Sequence, residues 1–139
     1  MELRQAEPTL INGRLGTLVT LKRNGRPQIS DVGYHYADGV ARISITEDRA
    51  KTTNIRRDPR VSLHVRPTGW GYVVTEGMGD LSPVSTDPGD ETGRELLEIH
   101  DLIQGKPHPD PDTFFEAMVT DNRLVLSIGI DYVYGALSG

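Results

Sequence analysis

The sequence predicts a mainly β protein with helices, in which residues 1–139 form a single domain around a six-stranded antiparallel barrel. Six short segments are rich in the β-branched and aromatic residues that favour strands. Two dipeptides typical of hairpin turns, Asn24-Gly25 and Asp38-Gly39, separate the first three segments. A length of 139 residues suits one domain with a modest core. Six strands joined through hairpins are typical of a small, closed or nearly closed barrel.

The first three predicted strands form a meander around these two turns. Residues 15–21 form the first strand, residues 28–36 the second, and residues 40–46 a third in which apolar and polar residues alternate. The remaining strands are predicted over residues 61–65, 71–81 and 123–130.

The second predicted strand departs from regular alternation in its middle. Ile29 and Val32 are three residues apart, so a regular strand cannot place both on one face. A bulge or local opening at Ser30-Asp31 would resolve the conflict and leave backbone groups unpaired. Those groups could bind the polar edge of a planar ring. An edge-strand irregularity without function is an equal alternative.

Three helices are predicted between the later strands. The first covers residues 49–57, with Asp48 as its N-cap and Asp58-Pro59 as its stop signal. The second runs from about residue 87 to residue 104 with helical apolar spacing, and Gly105 follows it. A short third helix covers residues 113–119.

The charge is divided unevenly along the chain. Residues 1–66 contain 12 Lys and Arg against 7 Asp and Glu, whereas residues 67–139 contain 3 against 13, so the halves carry +5 and -10. The net charge of -5 does not favour nucleic acid as a partner, because nucleic-acid binders are usually basic over the whole domain. A localised anionic ligand fits this distribution better.

Composition excludes several further classes. The chain has no cysteine, which rules out disulfides, thiolate catalysis and iron–sulfur clusters. The sequence contains no apolar stretch typical of a membrane span or a signal peptide, so we expect a cytoplasmic protein without a membrane partner. The four histidines, His35, His64, His100 and His108, are too dispersed to indicate a metal site.

The junction after the third strand is the strongest candidate for a binding site. There a strand ends and a helix begins within three residues, which exposes free backbone N–H groups and the positive end of the helix dipole. Arg49 and Lys51 lie in the first turn, where their charges oppose the dipole, and a bound phosphate would resolve that conflict. The alternative is a solvated basic face that pairs with the acidic second half. Thr46 and Thr52 would add hydroxyl donors.

Trp70 and Tyr72 form an aromatic pair between glycines, and both project from the same face of an extended strand. They could cover a barrel mouth or a subunit interface, or they could form a wall beside a bound heterocycle.

In their order along the chain, these segments resemble the flavin-binding split-barrel superfamily of pyridoxamine 5'-phosphate oxidase. The resemblance rests on the strand at residues 16–20, the hairpin at 24–30, the run at 49–62 and the Glu76-Gly77 pair. Residues 49–52, 70–72, 117–121 and 133–135 are similar to the actinobacterial deazaflavin-dependent reductases that use coenzyme F420. The Arg-Leu-x-Pro type ending of true pyridoxamine phosphate oxidases does not occur, so we do not expect that activity.

The resemblance implies a split β-barrel homodimer with two cofactor sites at the subunit interface. Residues 28–32 would line the cofactor ring, and Trp70 and Tyr72 would come from the partner subunit. The cofactor phosphate would be bound by Thr46, Arg49, Lys51, Thr52 and Asn54. Arg56 and Arg57 would meet the anionic tail of F420. The complete set implied for cofactor binding is Gln28, Ile29, Ser30, Asp31, Val32, Thr46, Arg49, Lys51, Thr52, Asn54, Arg56, Arg57, Trp70 and Tyr72.

The implied activity is that of an oxidoreductase that transfers hydride from reduced F420 to an unsaturated planar organic substrate. An FMN-dependent enzyme on the same barrel is the first alternative, and a non-catalytic carrier of flavin or deazaflavin is the second. The catalytic residues are unknown. Tyr72 and His35 are candidate proton donors, although nothing in the sequence fixes either in place.

Overall fold

A curled antiparallel sheet forms the body of the protein. The computed structural model describes residues 1–138, and within them seven strands and four helices are formed. The strands are β1 (Leu15–Leu21), β2 (Pro27–Gly33), β3 (His35–Ala37), β4 (Val40–Thr46), β5 (Arg60–Val65), β6 (Gly71–Leu81) and β7 (Arg123–Leu137). The helices are α1 (Leu3–Asn12), α2 (Ala50–Arg57), α3 (Glu91–Gln104) and α4 (Pro111–Thr120).

The prediction of six strands is wrong by one, because Tyr34 divides the predicted second strand. The strand order is β2-β1-β5-β6-β7-β4-β3, which places the two halves of that segment at opposite edges of the sheet. The Tyr34 N–H donates to the Arg14 carbonyl at 3.0 Å. Its buried hydroxyl donates to the Leu10 carbonyl at 2.7 Å. These contacts hold the chain between β2, which pairs with β1, and β3, which pairs with β4. The whole sheet is curled into a half-barrel.

The predicted bulge at Ser30-Asp31 is not found. β2 pairs with β1 in unbroken register from Leu15↔Gly33 to Leu21↔Pro27. Ile29 is 60% exposed and Val32 is buried, so the two side chains simply point to opposite faces. The register shift lies instead between Glu76 and Gly77, where β6 pairs with β7.

Gly77 is needed at that irregularity because the neighbouring strand approaches closely. A Cβ atom at position 77 would lie 2.1 Å from the carbonyl oxygen of Gly129. The predicted hairpin turn at Asn24-Gly25 is confirmed, because Gly25 has a φ of 85° and its N–H donates to the Lys22 carbonyl at 2.9 Å.

The core lies on the concave side of the sheet. Leu18, Ile43, Leu63 and Leu126 are almost fully buried there, and α1 closes one end with Ala6 and Leu10. A second cluster packs α3 and α4 against the outside of β7, and it consists of Leu96, Ile99, Phe114 and Val125. Most apolar residues of the predicted alternating strands are therefore the residues that the core buries.

The helix boundaries differ from the predictions in detail. α2 begins at Ala50 with Arg49 as its N-cap, because the Asp48 carboxylate accepts a 2.7 Å hydrogen bond from the Thr46 hydroxyl instead of capping the helix. α3 begins at Glu91, and the Asp90 side chain caps it. α1 was not predicted, since its segment contains Pro8 and few apolar residues. In the described part of the chain, no helix combines the length and the apolar character that crossing a membrane requires.

Candidate functional site

The junction between β4 and α2 is held by hydrogen bonds to Thr46. The hydroxyl of buried Thr52 donates to the Thr46 carbonyl at 2.6 Å, and the Arg49 N–H donates to the same carbonyl at 3.3 Å. Arg123, the first residue of β7, is the cross-strand partner of Thr46. The first turn of α2 is therefore fixed beside the end of β4 and the start of β7.

The N-terminus of α2 has no side-chain cap. Across residues 1–138, the backbone N–H groups of Ala50 and Lys51 find no hydrogen-bond acceptor. The exposed Arg49 side chain lies next to them in the chain. Free N–H groups and the positive end of the helix dipole at one place favour an anion.

Lys51 connects this helix to the edge strand β2. Its Nζ lies 3.5 Å from the hydroxyl oxygen of Ser30. Burial lowers the pKa of the Lys51 ammonium, and the positive charges of Arg49 and Arg123 lower it further. Around Lys51, the effect of the neighbouring cations thus outweighs that of the acidic groups. A bound anion would stabilise the charged ammonium.

Arg123 is a member of this cluster that the sequence analysis missed. It lies at the start of β7, directly opposite Thr46, and its charge reaches both Lys51 and Asp48. No local motif marks it, because its position depends on the pairing of β7 with β4 across 77 residues of sequence, from Thr46 to Arg123. Only the long-range register brings it to the site.

Asn54 and Arg57 make contacts within the protein. The buried Asn54 amide donates to the Thr20 hydroxyl at 3.1 Å. Arg57 donates to the Asn54 side-chain oxygen at 3.3 Å and also to the Leu21 carbonyl. Arg56 is exposed and pairs with Glu47. These contacts fasten the C-terminal half of α2 to β1.

The predicted ring-lining residues divide between the two faces of β2. Gln28, Ser30 and Val32 point to the side on which Lys51 lies, whereas Ile29 and Asp31 point outward. The outward Asp31 carboxylate accepts a 3.3 Å hydrogen bond from the Thr17 hydroxyl. β2 is an edge strand that pairs only with β1, so one row of its backbone groups has no strand partner among residues 1–138.

In the described part of the chain, neither Trp70 nor Tyr72 makes a hydrogen bond or an aromatic contact with this cluster. Tyr72 lies on the outer face of the sheet and stacks on His64, with ring centroids 5.8 Å apart and planes 15° apart. Trp70 lies in the loop before β6 and is 66% exposed. A neighbouring groove of about 420 Å³ is lined by Leu15, Gly16, Thr17, Asp31, His64 and Arg66.

The two candidate proton donors occupy different places. His35 is paired with Arg42 on the outer face near α3, and its buried Nδ1 has no hydrogen-bond partner among the residues that the structure describes. Burial lowers the pKa of His35 and the Arg42 charge adds to that effect, while Glu98 opposes it. Tyr72 lies on β6, three strands away from the His35 strand β3 in the sheet order.

Within residues 1–138, no three His, Asp or Glu side chains converge as a metal site would require.

Most of this chain matches one known protein family. Residues 4–126 match the sequence profile of pyridoxamine 5'-phosphate oxidase. The chain belongs to the pyridoxamine 5'-phosphate oxidase family. The resemblance to the split-barrel superfamily seen in the sequence is thereby confirmed.

Solved structures share the fold of this family member at low sequence identity. An F420 reductase is 24% identical with a TM-score of 0.71, and the match covers 92% of this chain and 94% of that protein. A conserved hypothetical protein of Mycobacterium tuberculosis is 20% identical with a TM-score of 0.75, covering 97% and 84%. An FAD-binding protein of Mesorhizobium loti is 22% identical with a TM-score of 0.68, covering 97% and 94%.

Proposed function

We propose that this protein is an oxidoreductase that uses reduced coenzyme F420 to reduce an electron-poor double bond in a planar organic substrate. The observation that carries the proposal is the convergence of Arg49, Lys51 and the uncapped α2 N-terminus beside the free edge of β2. A phosphate-bearing ring compound needs such an arrangement: fixed positive charge for the phosphate, and an open strand for the ring.

The residues at the junction fit the phosphate of such a cofactor. Lys51 supplies a point charge, Arg49 supplies a planar fork of donors, and Ala50 and Lys51 supply free N–H groups. The Thr46 hydroxyl is currently directed to Asp48. An anion would offset the repulsion among the cations that lowers the Lys51 pKa.

When bound, reduced F420 supplies a hydride from C5 of its deazaflavin ring, and a proton then reaches the substrate from water or a nearby group. The chain's part is to bind and orient. Gln28 and Ser30 face the Lys51 side of β2, where they would line the ring, and unpaired backbone groups of this strand would bind its polar edge. Water exclusion would require a second surface above β2.

We propose that a second copy of the chain supplies the surface above β2. The outer face of β1, β5, β6 and β7 carries large apolar or aromatic side chains that remain exposed, including Met78 at 51%, Tyr132 at 59% and Tyr134 at 41%. A cluster of exposed apolar side chains on one face is typical of a protein–protein interface. Homodimerisation would cover them, and Trp70 and Tyr72 would then approach the cofactor of the partner subunit.

F420 is preferred over FMN because Arg56 and Arg57 are exposed at the C-terminal end of α2, where an anionic tail would compete with the Glu47 carboxylate for Arg56. F420 has such a tail and FMN lacks it. The fold shared with an F420 reductase supports the same choice. An FMN- or FAD-dependent enzyme is the second candidate, favoured by the fold shared with an FAD-binding protein.

The test is to measure binding and turnover with both cofactors. F420 fluorescence is titrated with the protein, FMN is titrated in parallel, and reduced F420 is then mixed with an activated enone or a quinone. Tighter binding of F420 and protein-dependent reoxidation by the acceptor are expected. Binding without reoxidation would indicate a carrier, and binding of FMN alone would indicate a flavoprotein.

A further inference from the structure

We infer that Arg123 is a third cation of the phosphate site, one that binds a phosphoryl oxygen directly alongside Arg49 and Lys51. This inference rests on the proposed function, since it concerns the same cofactor site. It identifies a ligand-binding residue on β7, a strand to which the sequence motifs assign no part in cofactor binding.

The position of Arg123 is set by the sheet. It is the cross-strand partner of Thr46, the last residue of β4, whose carbonyl accepts from the Thr52 hydroxyl. The adjacent Asn122 carbonyl accepts a 3.0 Å hydrogen bond from the Glu47 N–H. The backbone of Arg123 is thereby fixed beside the loop that leads into α2, within side-chain reach of the first turn of that helix.

The guanidinium is poorly satisfied by the protein itself. One terminal nitrogen donates to the Ser44 hydroxyl at 3.4 Å, near the limit for a hydrogen bond. Nε is buried and has no hydrogen-bond partner within residues 1–138, and the nearest Asp121 carboxylate oxygen is 3.9 Å away. An arginine that is two-thirds buried usually finds stronger partners than these.

The missing partner would lie on the α2 side, next to the loop beside which the Arg123 backbone is fixed. The Arg123 and Arg49 charges both act on Lys51, and the Asp48 carboxylate near them is engaged by the Thr46 hydroxyl. A phosphoryl group at this place would accept from all three cations, whereas Asp121 offers Arg123 only one distant oxygen.

The alternative role for Arg123 is purely structural, as an anchor between the α4–β7 turn and β4 through Asp121 and Ser44. That role predicts a loss of stability on substitution and no dependence on the phosphate of the ligand. A direct role predicts a loss of affinity that disappears when the ligand lacks phosphate. The two roles therefore differ in a measurement on ligand pairs.

The experiment compares wild type, Arg123→Gln and Arg123→Lys, with Arg94→Gln as a control at an exposed arginine on α3. The ligand pairs are F420 and its riboflavin-like precursor without phosphate, and FMN and riboflavin. Affinities are measured by fluorescence at two salt concentrations, and folding is checked by circular dichroism and thermal unfolding.

For whichever phosphorylated cofactor the wild type binds, Arg123→Gln should weaken binding by about tenfold or more, within the range for a charge-assisted contact. Its affinity for the phosphate-free ring should not change, and the salt dependence of cofactor binding should decrease. Arg123→Lys, which retains the charge and the fold, should bind with intermediate affinity. Arg94→Gln should resemble wild type.

Equal losses with and without the phosphate, or no loss in either Arg123 variant, would overturn the inference and leave the proposed function in place. If Arg123→Gln fails to fold, Arg123→Lys decides by the same comparison of ligand pairs. Failure of wild type to bind either phosphorylated cofactor would overturn both the inference and the proposed function.

Discussion

The ammonium nitrogen of Lys51 lies 3.5 Å from the hydroxyl oxygen of Ser30, which joins helix α2 to the edge strand β2. Ser30 is too weak a partner to neutralise a half-buried ammonium, and burial together with Arg49 and Arg123 lowers the Lys51 pKa. The contact therefore marks the point at which a phosphate site and a ring site would meet.

Substitution of Lys51 tests the phosphate site directly. Lys51→Ala should weaken cofactor binding by about 1.5–3 kcal/mol, because it removes one charge-assisted contact. Lys106→Ala, at an exposed loop position, is the matched control and should leave affinity unchanged. Fluorescence titration of F420 measures both variants, and an affinity equal to wild type in Lys51→Ala would remove this residue from the site.

Asn54 should matter for stability. Asn54→Ala leaves the buried Thr20 hydroxyl without its 3.1 Å partner and removes the Arg57 contact, so we expect a loss of about 1–3 kcal/mol in the free energy of unfolding. Thr53→Ala, at the exposed neighbouring position, should change it by less than about 0.5 kcal/mol. Urea unfolding measures both, and similar small losses would show that the Asn54 contacts contribute little.

Trp70 should matter for binding and little for the fold of one chain. Because its side chain is 66% exposed, Trp70→Ala should change the unfolding free energy of the monomer by less than about 0.5 kcal/mol. Cofactor affinity should decrease if the partner subunit contributes this ring to the site. Unfolding of the variant would instead support a structural covering role.

The outer apolar face should be the dimer contact. Tyr132→Glu places a charge among exposed apolar side chains and should shift the protein towards monomer in sedimentation equilibrium. Leu102→Glu, at a 46% exposed position on α3, is the control and should leave the association unchanged. A monomeric wild type, or an unchanged dimer in Tyr132→Glu, would contradict the proposed interface.

The α3 N-cap makes part of the stability sensitive to acid. Partial burial raises the Asp90 pKa, but hydrogen bonds from the Gly93 and Thr86 backbone and the Ser85 hydroxyl outweigh it and hold the pKa at about 2. The folded pKa lies below the ordinary value of 3.8, so this contribution is complete above pH 3.8 and is lost as the pH falls through about 2.

Asp90→Ala should cost about 0.5–2 kcal/mol at neutral pH, as N-cap substitutions do. Urea unfolding of wild type and variant between pH 7 and pH 2 should show this difference shrinking across the acidic window. Glu116→Ala, at an exposed position, provides the control. A difference that stays constant down to pH 2 would show that Asp90 is not the titrating cap.

The sequence was sufficient where local chemistry decides structure. Asn24-Gly25 forms its hairpin turn because glycine adopts the positive φ that the turn requires. Asp58-Pro59 ends α2 for an equally local reason. The cation pair at Arg49 and Lys51 could be placed at a helix start from sequence alone, with an error of one residue in the boundary.

The remaining features depend on contacts between distant residues. Tyr34 divides the second predicted strand because its hydroxyl reaches Leu10 and its N–H reaches Arg14, which no alternation pattern contains. Arg123 joins the site only through the register of β7 with β4. The division of β2 into an inner and an outer face required the position of the core to be known.

The most direct test is the affinity of the wild-type protein for F420 and for the same ring without phosphate, measured side by side. We predict that F420 binds more tightly by at least about tenfold, and that this advantage falls as salt is raised, because fixed cations at the β4–α2 junction hold the phosphate. Equal affinity for the two compounds at all salt concentrations would contradict the assignment of this junction as a phosphate site.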